Sequence, residues 1–262
     1  MKKFLNGLFA VVCGAALLVG CNEKKSEAQG DASLDKVKSA GVFVLGLDDS
    51  FPPMGFRDKD NNIIGFDIDL ASEVCARLGV TLKTQPISWD AKEQELNTGK
   101  IDCIWNGLSV DPARAAAMNL SSPYLKNRMI FTVKDKSLAK LAALAGKKIA
   151  VQNGSTAQKL LEASDAGKSA KEIVPFDDNQ TALMDLEMGG VEAVLLGESV
   201  ARYWIVQNGK DYVVMEEGLS DEEYAIGFRK NDQKLRDAVD SLIKAMQADG
   251  KFAEISSKWF GK

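Results

Sequence analysis

Residues 101–114 of this chain, IDCIWNGLSVDPAR, join an apolar segment to a helix start through a turn of small residues. The apolar segment predicts a buried strand, and Pro112 is typical of the first position of a helix, where no N–H is needed. Arg114 follows, and its guanidinium can bind a planar anion together with Ser109 and nearby backbone N–H groups. The stretch therefore predicts a strand, a turn and a helix with an anion site between them. An ordinary surface arginine is the alternative from this stretch alone.

Outward from this stretch, short apolar segments alternate with amphipathic helical patterns along the whole chain. Such alternation is typical of parallel βαβ units, so we predict the α/β class. The predicted strands are residues 42–47, a strand from residue 80, then 129–133, 148–151, 172–174 and 193–196. The clearest predicted helices are residues 67–78, stopped by Gly79, and the segment between Asp232 and Gly250.

Two segments of the chain resemble each other. Residues 99–104 (GKIDCI) and 189–194 (GGVEAV) each end a helix and open a strand. Two similarly built lobes would explain the repeat, and each would place a loop at the carboxyl end of its strand, where α/β proteins bind ligands. The ordinary sequence pattern of a helix followed by a strand is the alternative.

The N-terminus has the pattern of a lipoprotein signal peptide. Residues 1–20 combine a basic start, a short apolar run and the residues Leu-Val-Gly directly before Cys21. Cleavage would leave Cys21 as an acylated N-terminus, and the polar residues 21–33 predict a flexible tether. A membrane-spanning helix is the alternative, but Asn6 interrupts the run, and a span needs about 20 apolar residues.

Composition excludes several classes of function. The net charge is −4 and there are no basic runs, which argues against binding to nucleic acid. The chain has no histidine, so Ser-His and Cys-His catalysis and histidine-ligated metal sites are excluded. We expect no metal, no cofactor and no enzymatic activity.

Of the chain's 4 cysteines, two belong to the predicted folded part. Cys75 lies in a helical pattern and Cys103 in an apolar strand, so we expect two buried free thiols. A disulfide is the alternative for an exported protein.

Several motifs resemble one family. Residues 46–56 (GLDDSFPPMGF) and 64–70 (IGFDIDL) resemble the opening strand and ligand loop of the family 3 extracytoplasmic solute-binding proteins, the polar amino-acid receptors of ABC importers. The other matching segments, in the family's order, are 89–90 (WD), 99–102 (GKID), 107–109 (GLS) with Arg114, 122–124 (SPY), 146–156 (GKKIAVQNGST), 224–227 (YAIG) and 248–261. The resemblance runs from about Val42 to the C-terminus.

This resemblance implies a type II periplasmic-binding-protein fold, with two α/β lobes joined by two crossing hinge segments. Lobe 1 would comprise residues 34–125 and 226–262, and lobe 2 residues 126–225. The protein would be an exported monomer, anchored to a bacterial membrane only through its lipid and facing the periplasm or the cell exterior. It would capture a free amino acid and deliver it to an ABC permease.

The resemblance also assigns the carboxylate end of the ligand. Arg114 would bind the α-carboxylate, together with Ser109 and the backbone N–H groups of Ser109 and Thr156. A buried carboxylate needs several donors, because a half-satisfied buried charge costs several kcal/mol. Ser155 and Thr156 start a helix, so Ser155 is also expected to be an N-cap. The resemblance adds Gly107 and Gln152 to the site.

The remaining assignments concern the ligand side chain. Phe51 and Trp89 would sandwich its aliphatic stem, and Asp48 would meet its distal polar group. Asp49 is adjacent, and two carboxylates favour a cationic side chain, so lysine, arginine or ornithine is expected first and glutamine or cystine next.

The chain departs from the family pattern at one position. An aspartate usually follows the strand that matches residues 193–196 and holds the ligand ammonium, but here Gly197 and then Glu198 follow it. Glu198 could reach back, the ammonium could be bound elsewhere, or the ligand could be no ordinary α-amino acid. Two other functions stay open: a dehydratase-like enzyme that uses Glu198 as its acid, and a ligand-sensing lipoprotein that does not transport.

Overall fold

A computed structural model describes residues 30–261 of the chain. The predicted signal peptide, Cys21 and most of the predicted tether lie outside this range. From Asp31 onward the chain forms one compact unit, whose first helix begins at Ser33. Within residues 30–261 no helix is both long enough and apolar enough to cross a membrane. The predicted lobe boundaries remain a prediction.

Strands and helices alternate along this unit. The strands are β1 (Val42–Leu47), β2 (Ser50–Phe51), β3 (Gly55–Arg57), β4 (Ile63–Ile64), β5 (Thr81–Pro86), β6 (Cys103–Ser109), β7 (Asn119–Leu120), β8 (Leu125–Val133), β9 (Lys148–Gln152), β10 (Glu172–Phe176), β11 (Ala193–Gly197) and β12 (Val213–Phe228). The α-helices are α1 (Ser33–Ala40), α2 (Phe66–Leu78), α3 (Lys92–Asn97), α4 (Pro112–Ala117), α5 (Thr156–Ala163), α6 (Asp165–Ser169), α7 (Asn179–Met188), α8 (Glu198–Gln207), α9 (Gln233–Ala248) and α10 (Lys251–Phe260). Short 3₁₀ turns occupy Trp89–Ala91, Lys136–Leu138 and Leu141–Leu144.

The main sheet joins two parallel groups of strands. Its order is β10-β9-β11-β8-β12-β6-β1-β5, with β7 beside β12. In one group β1 lies parallel to β5 and β6, and in the other β9 lies parallel to β10 and β11. These groups confirm the α/β class that the alternating pattern predicts. Strands β2, β3 and β4 form a small separate antiparallel sheet.

A long antiparallel pair, β8 and β12, connects the two groups. Strand β12 has 16 residues and pairs with β8 on one side and β6 on the other. The sequence pattern did not predict this strand, because its segment VVMEEGLSDEEYAIGF is rich in acidic residues and lacks a regular apolar alternation. Its pairing with β8 is irregular near Gly218, where the register shifts.

The strand, turn and helix predicted for residues 101–114 are present in the structure. All residues of β6 are buried, although β6 begins at Cys103 rather than Ile101. The later start follows from Asp102, whose carboxylate accepts a hydrogen bond from Val44 N at 2.8 Å. Helix α4 begins at Pro112, and Asp111 caps it by accepting a hydrogen bond from Arg114 N at 2.9 Å. This geometry fixes the direction in which α4 leaves the sheet.

Within residues 30–261 both cysteines, Cys75 and Cys103, are free and buried, as expected. Cys75 lies in α2 and Cys103 in β6, and both belong to the largest apolar core, which packs helices against the sheet. Burial raises the pKa of the Cys75 thiol to about 12. These thiols therefore belong to the packing of the fold.

Candidate ligand-binding site

A cavity lies where two pairs of parallel strands, one pair from each group of the sheet, reach their carboxyl ends. Asp48 follows β1, and Ser109, Gln152 and Gly197 are the last residues of β6, β9 and β11. The enclosed space among the lining residues is small, about 30 Å³. Strand ends of α/β sheets commonly hold ligands.

Arg114 is the buried cation of this cavity. Its side chain is only 1% exposed, and its Nη1 donates hydrogen bonds to the Ser109 carbonyl and to Thr156 Oγ1, both at 2.9 Å. Nε lies 3.3 Å from an Asp111 carboxylate oxygen. Nη2 is buried without a hydrogen-bond partner among residues 30–261. An unpaired buried guanidinium nitrogen is costly, so the cavity is suited to an anion such as a carboxylate.

The start of α5 faces Arg114 across the cavity. Ser155 is the N-cap, and its Oγ accepts a hydrogen bond from Gln158 N at 3.1 Å. The same hydroxyl donates to the Gln152 carbonyl at 2.7 Å, which holds the cap against the end of β9. The first N–H groups of a helix have no partner inside the helix and carry partial positive charge. Ser155 therefore caps the helix as expected and also lines the cavity.

Asp48 is the buried carboxylate of the cavity. One of its oxygens accepts from Ser50 N at 2.9 Å, and the other accepts from Gln152 Nε2 at 2.7 Å. The Gln152 side chain is held in turn, because its amide oxygen Oε1 accepts a hydrogen bond from Asn179 Nδ2 at 2.8 Å. Burial raises the pKa of Asp48 to about 6. Asp49 does not line the cavity and pairs with Arg57 instead.

Aromatic side chains close the cavity. Phe51, Trp89 and Tyr224 all line it, and each is buried. Gly107 lies beneath them with a φ angle of +57°, which favours glycine. A Cβ at this position would lie 2.8 Å from a Phe51 ring carbon and 3.1 Å from a Tyr224 ring carbon. Glycine therefore lets both rings pack against the turn that carries Ser109.

Comparison with known proteins agrees with this geometry. Residues 43–262 match the model of the bacterial extracellular solute-binding proteins, family 3. The chain belongs to this family. Its relatives are named as amino-acid-binding proteins of ABC transporters, and the two-lobe type II class expected from the motifs is confirmed by its structural neighbours.

Three relatives of this family 3 binding protein illustrate the range of ligands. The L-cystine-binding protein TcyJ of Escherichia coli (strain K12) is 28% identical over 263 residues, which cover 99% of this chain and 96% of the relative. A substrate-binding protein of an ABC uptake transporter from Streptococcus pneumoniae, with bound histidine, is 36% identical with a TM-score of 0.84 and covers 89% of this chain and 97% of its own. Tv2483 bound to L-arginine is 31% identical with a TM-score of 0.84 and covers 89% and 96%.

The structure brings together the residues that the motifs predicted, with one exception. Glu198 does not line the cavity, because its carboxylate accepts hydrogen bonds from Arg128 Nε and Arg202 Nε, each at 2.7 Å. The two guanidinium groups also lower its pKa. The expectation that Glu198 reaches back to the ligand is therefore corrected. The other predicted residues that line the cavity are Asp48, Phe51, Trp89, Gly107, Ser109, Arg114, Gln152, Ser155, Thr156 and Gly197.

Gly197 has no room for the aspartate that the family usually carries. A Cβ at this position would lie 2.5 Å from Asn127 Nδ2 and 2.7 Å from the Tyr224 hydroxyl. Asn127 is held in place, because its amide donates to Tyr224 and Glu222 and accepts from Ser199 N. An amide and a phenol thus occupy the space beside Gly197.

Some lining residues were missed by the sequence analysis. Tyr224 belongs to a quoted motif that received no site assignment, and Asn106 belongs to the turn before Arg114. Ala157 and Leu196 are the chain neighbours of the predicted Thr156 and Gly197. The remaining two come to the cavity only through the tertiary structure. The missed lining residues are Asn106, Met129, Ala157, Asn179, Leu196 and Tyr224.

Proposed function

We propose that this protein is a lipid-anchored receptor that captures a basic amino acid and delivers it to an ABC permease. The proposal rests on the pair of buried, oppositely charged side chains that line one cavity. Arg114 offers Nη2, which has no partner within residues 30–261, to the α-carboxylate, and Asp48 offers a carboxylate to a cationic side chain. Lysine, arginine and ornithine fit this arrangement best, and glutamine and cystine follow.

The proposal also includes a lipid anchor and two closing lobes. Export and acylation at Cys21 rest on the N-terminal sequence, and mass spectrometry of the mature N-terminus tests them. Lobes of residues 34–125 with 226–262, and of 126–225, would close on the ligand around β8 and β12. Closure is driven by the ligand if only the closed form contacts it from both sides.

Isothermal titration calorimetry of the purified protein against the twenty amino acids, ornithine and cystine tests ligand binding. We expect a basic amino acid to bind most tightly, with a dissociation constant near micromolar, or about −8 kcal/mol. Arg114→Ala should lower that affinity at least about a hundredfold, because a buried carboxylate would lose its charged partner. Arg202→Ala is the matched control, since Arg202 pairs with Glu198 outside the cavity. Absence of heat with every amino acid would contradict the proposal.

The dehydratase-like alternative depends on an acid at Glu198. The two arginines that bind this carboxylate keep it ionised and away from the cavity. A proton donor in the cavity needs the opposite environment, with a raised pKa. The structure thus favours the receptor over this enzyme.

A further inference from the structure

The Glu222 carboxylate is partly buried and lies two residues before Tyr224, which lines the cavity. This residue is in β12, and its Oε1 accepts a hydrogen bond from Asn127 Nδ2. Its Oε2 is buried without a well-aligned hydrogen bond from any residue in the described part of the chain. Burial raises the pKa of Glu222. Such a carboxylate is costly to keep unless a positive charge comes close to it.

Asn127 and Tyr224 connect Glu222 to the cavity. The Asn127 amide donates both to Glu222 Oε1 and to the hydroxyl of Tyr224, which lines the cavity. The Arg114 guanidinium lies close enough for its charge to act on the same carboxylate. Glu222 is therefore next to the place where Arg114 would hold a ligand carboxylate.

An α-amino acid carries its ammonium one carbon away from its carboxylate. If Arg114 holds the carboxylate, the ammonium must lie beside the Arg114 site, where its charge needs compensation. Gly197 has no side chain, and Glu198 is bound by two arginines outside the cavity. Asp111 is already used, because one oxygen caps α4 and the other lies beside Arg114 Nε.

We propose that Glu222 is the counter-charge for the ligand α-ammonium and acts through Asn127 and the hydroxyl group of Tyr224. The ammonium would contact the Tyr224 hydroxyl oxygen, and Glu222 would supply negative potential from behind it. On the cavity side this potential is screened less than in water, because Asn127 and Tyr224 are buried. Glu222 is thus a positioning residue that makes the cavity selective for α-amino acids. The inference rests on the proposed function.

Calorimetry with matched ligands separates this role from a structural one. L-arginine is compared with 5-guanidinopentanoate, which has the same side chain and carboxylate but no α-ammonium. If wild type binds glutamine instead, L-glutamine and glutaramate form the pair. Each ligand is titrated into wild type, Glu222→Gln and Glu223→Gln. Glu223 is exposed on the same strand, so its variant makes the same change in net charge at a position that faces solvent.

We expect Glu222→Gln to weaken binding of the α-amino acid about tenfold or more and to leave binding of the deamino analogue unchanged. Glu223→Gln should change neither affinity by more than about twofold. Equal losses for both ligands would reveal a structural role and overturn the inference, as would no loss for either. Wild type that binds the analogue as tightly as the amino acid would also overturn it. Wild type that binds no amino acid refutes the proposed function itself, which distinguishes the two failures.

Discussion

The charges of the cavity are carried by single buried residues, and each is held by neighbours that fix its geometry. Arg114 is anchored by the Ser109 carbonyl and Thr156, and Asp48 is anchored by Gln152. Burial alone would raise the pKa of Asp48 and lower that of Arg114. The charged forms of both groups are therefore stabilised when an opposite charge enters the cavity. A ligand with a carboxylate and a cationic side chain is the best complement.

The pH dependence of binding should report Asp48. Its pKa of about 6 in the free protein means that protonation competes with a cationic ligand below pH 6. Affinity for L-arginine should thus rise with pH and be about tenfold weaker at pH 5 than at pH 7. Asp48→Asn should bind L-arginine weakly at both pH values. Calorimetry at pH 5, 6 and 7 measures this effect, and an unchanged wild-type affinity would show that Asp48 does not meet the cation.

At the scale of elements, one buried carboxylate connects a helix with the turn that carries the site. Asp67, in the first turn of α2, accepts hydrogen bonds from Gly107 N at 2.8 Å and from the Tyr124 hydroxyl at 2.9 Å. Gly107 lies in β6, and Tyr124 directly precedes β8. The carboxylate therefore ties α2 to the floor of the cavity and to the start of the central strand pair.

Burial raises the pKa of Asp67 to about 7, so its ionisation costs folding free energy. Its contribution to stability is fully present below about pH 4 and is lost as the pH rises through 7, because only the unfolded chain ionises easily in that range. We expect Asp67 to lower the free energy of unfolding by on the order of 3 kcal/mol between pH 4 and 7.

Urea unfolding across this pH range measures how the free energy of unfolding falls with pH. The Asp67→Asn variant should lose most of this pH dependence, whatever its absolute stability. Asp69→Asn is the control, because Asp69 is paired with Lys258 nearer the surface. An identical slope in wild type and Asp67→Asn would contradict the assignment.

For the whole molecule, side-chain hydrogen bonds join the two proposed lobes directly. Lys92 is buried, and its Nζ donates to the Trp89 carbonyl at 2.8 Å and to the Gly154 carbonyl of the other proposed lobe at 3.0 Å. Gln180 Nε2 likewise donates to the Ser50 carbonyl at 3.2 Å. These bonds must break if the proposed lobes move apart, so they would stabilise a closed form independently of the ligand.

Removal of the Lys92 contact should favour opening. Lys92→Met keeps much of the apolar stem but loses the bond to Gly154, so we expect ligand dissociation to accelerate about tenfold, with a smaller change in association. Lys100→Met is the control, because Lys100 is exposed and pairs with Glu95 on the surface. Stopped-flow measurement of dissociation distinguishes them, and equal rates in both variants would show that the contact does not hold the closed form.

The sequence alone determined the α/β class, the strand, turn and helix that carry Arg114, and most residues that line the cavity, because these follow from local periodicity, turn chemistry and ordered motifs. It did not determine β12, the position of Tyr224 in the cavity wall, or the fate of Glu198. These depend on which distant strands pair and which charges become neighbours: β8 and β12 bring Asn127, Glu222 and Tyr224 together beside Gly197. Only the tertiary structure could show that an amide and a phenol fill this space and that a carboxylate lies behind them.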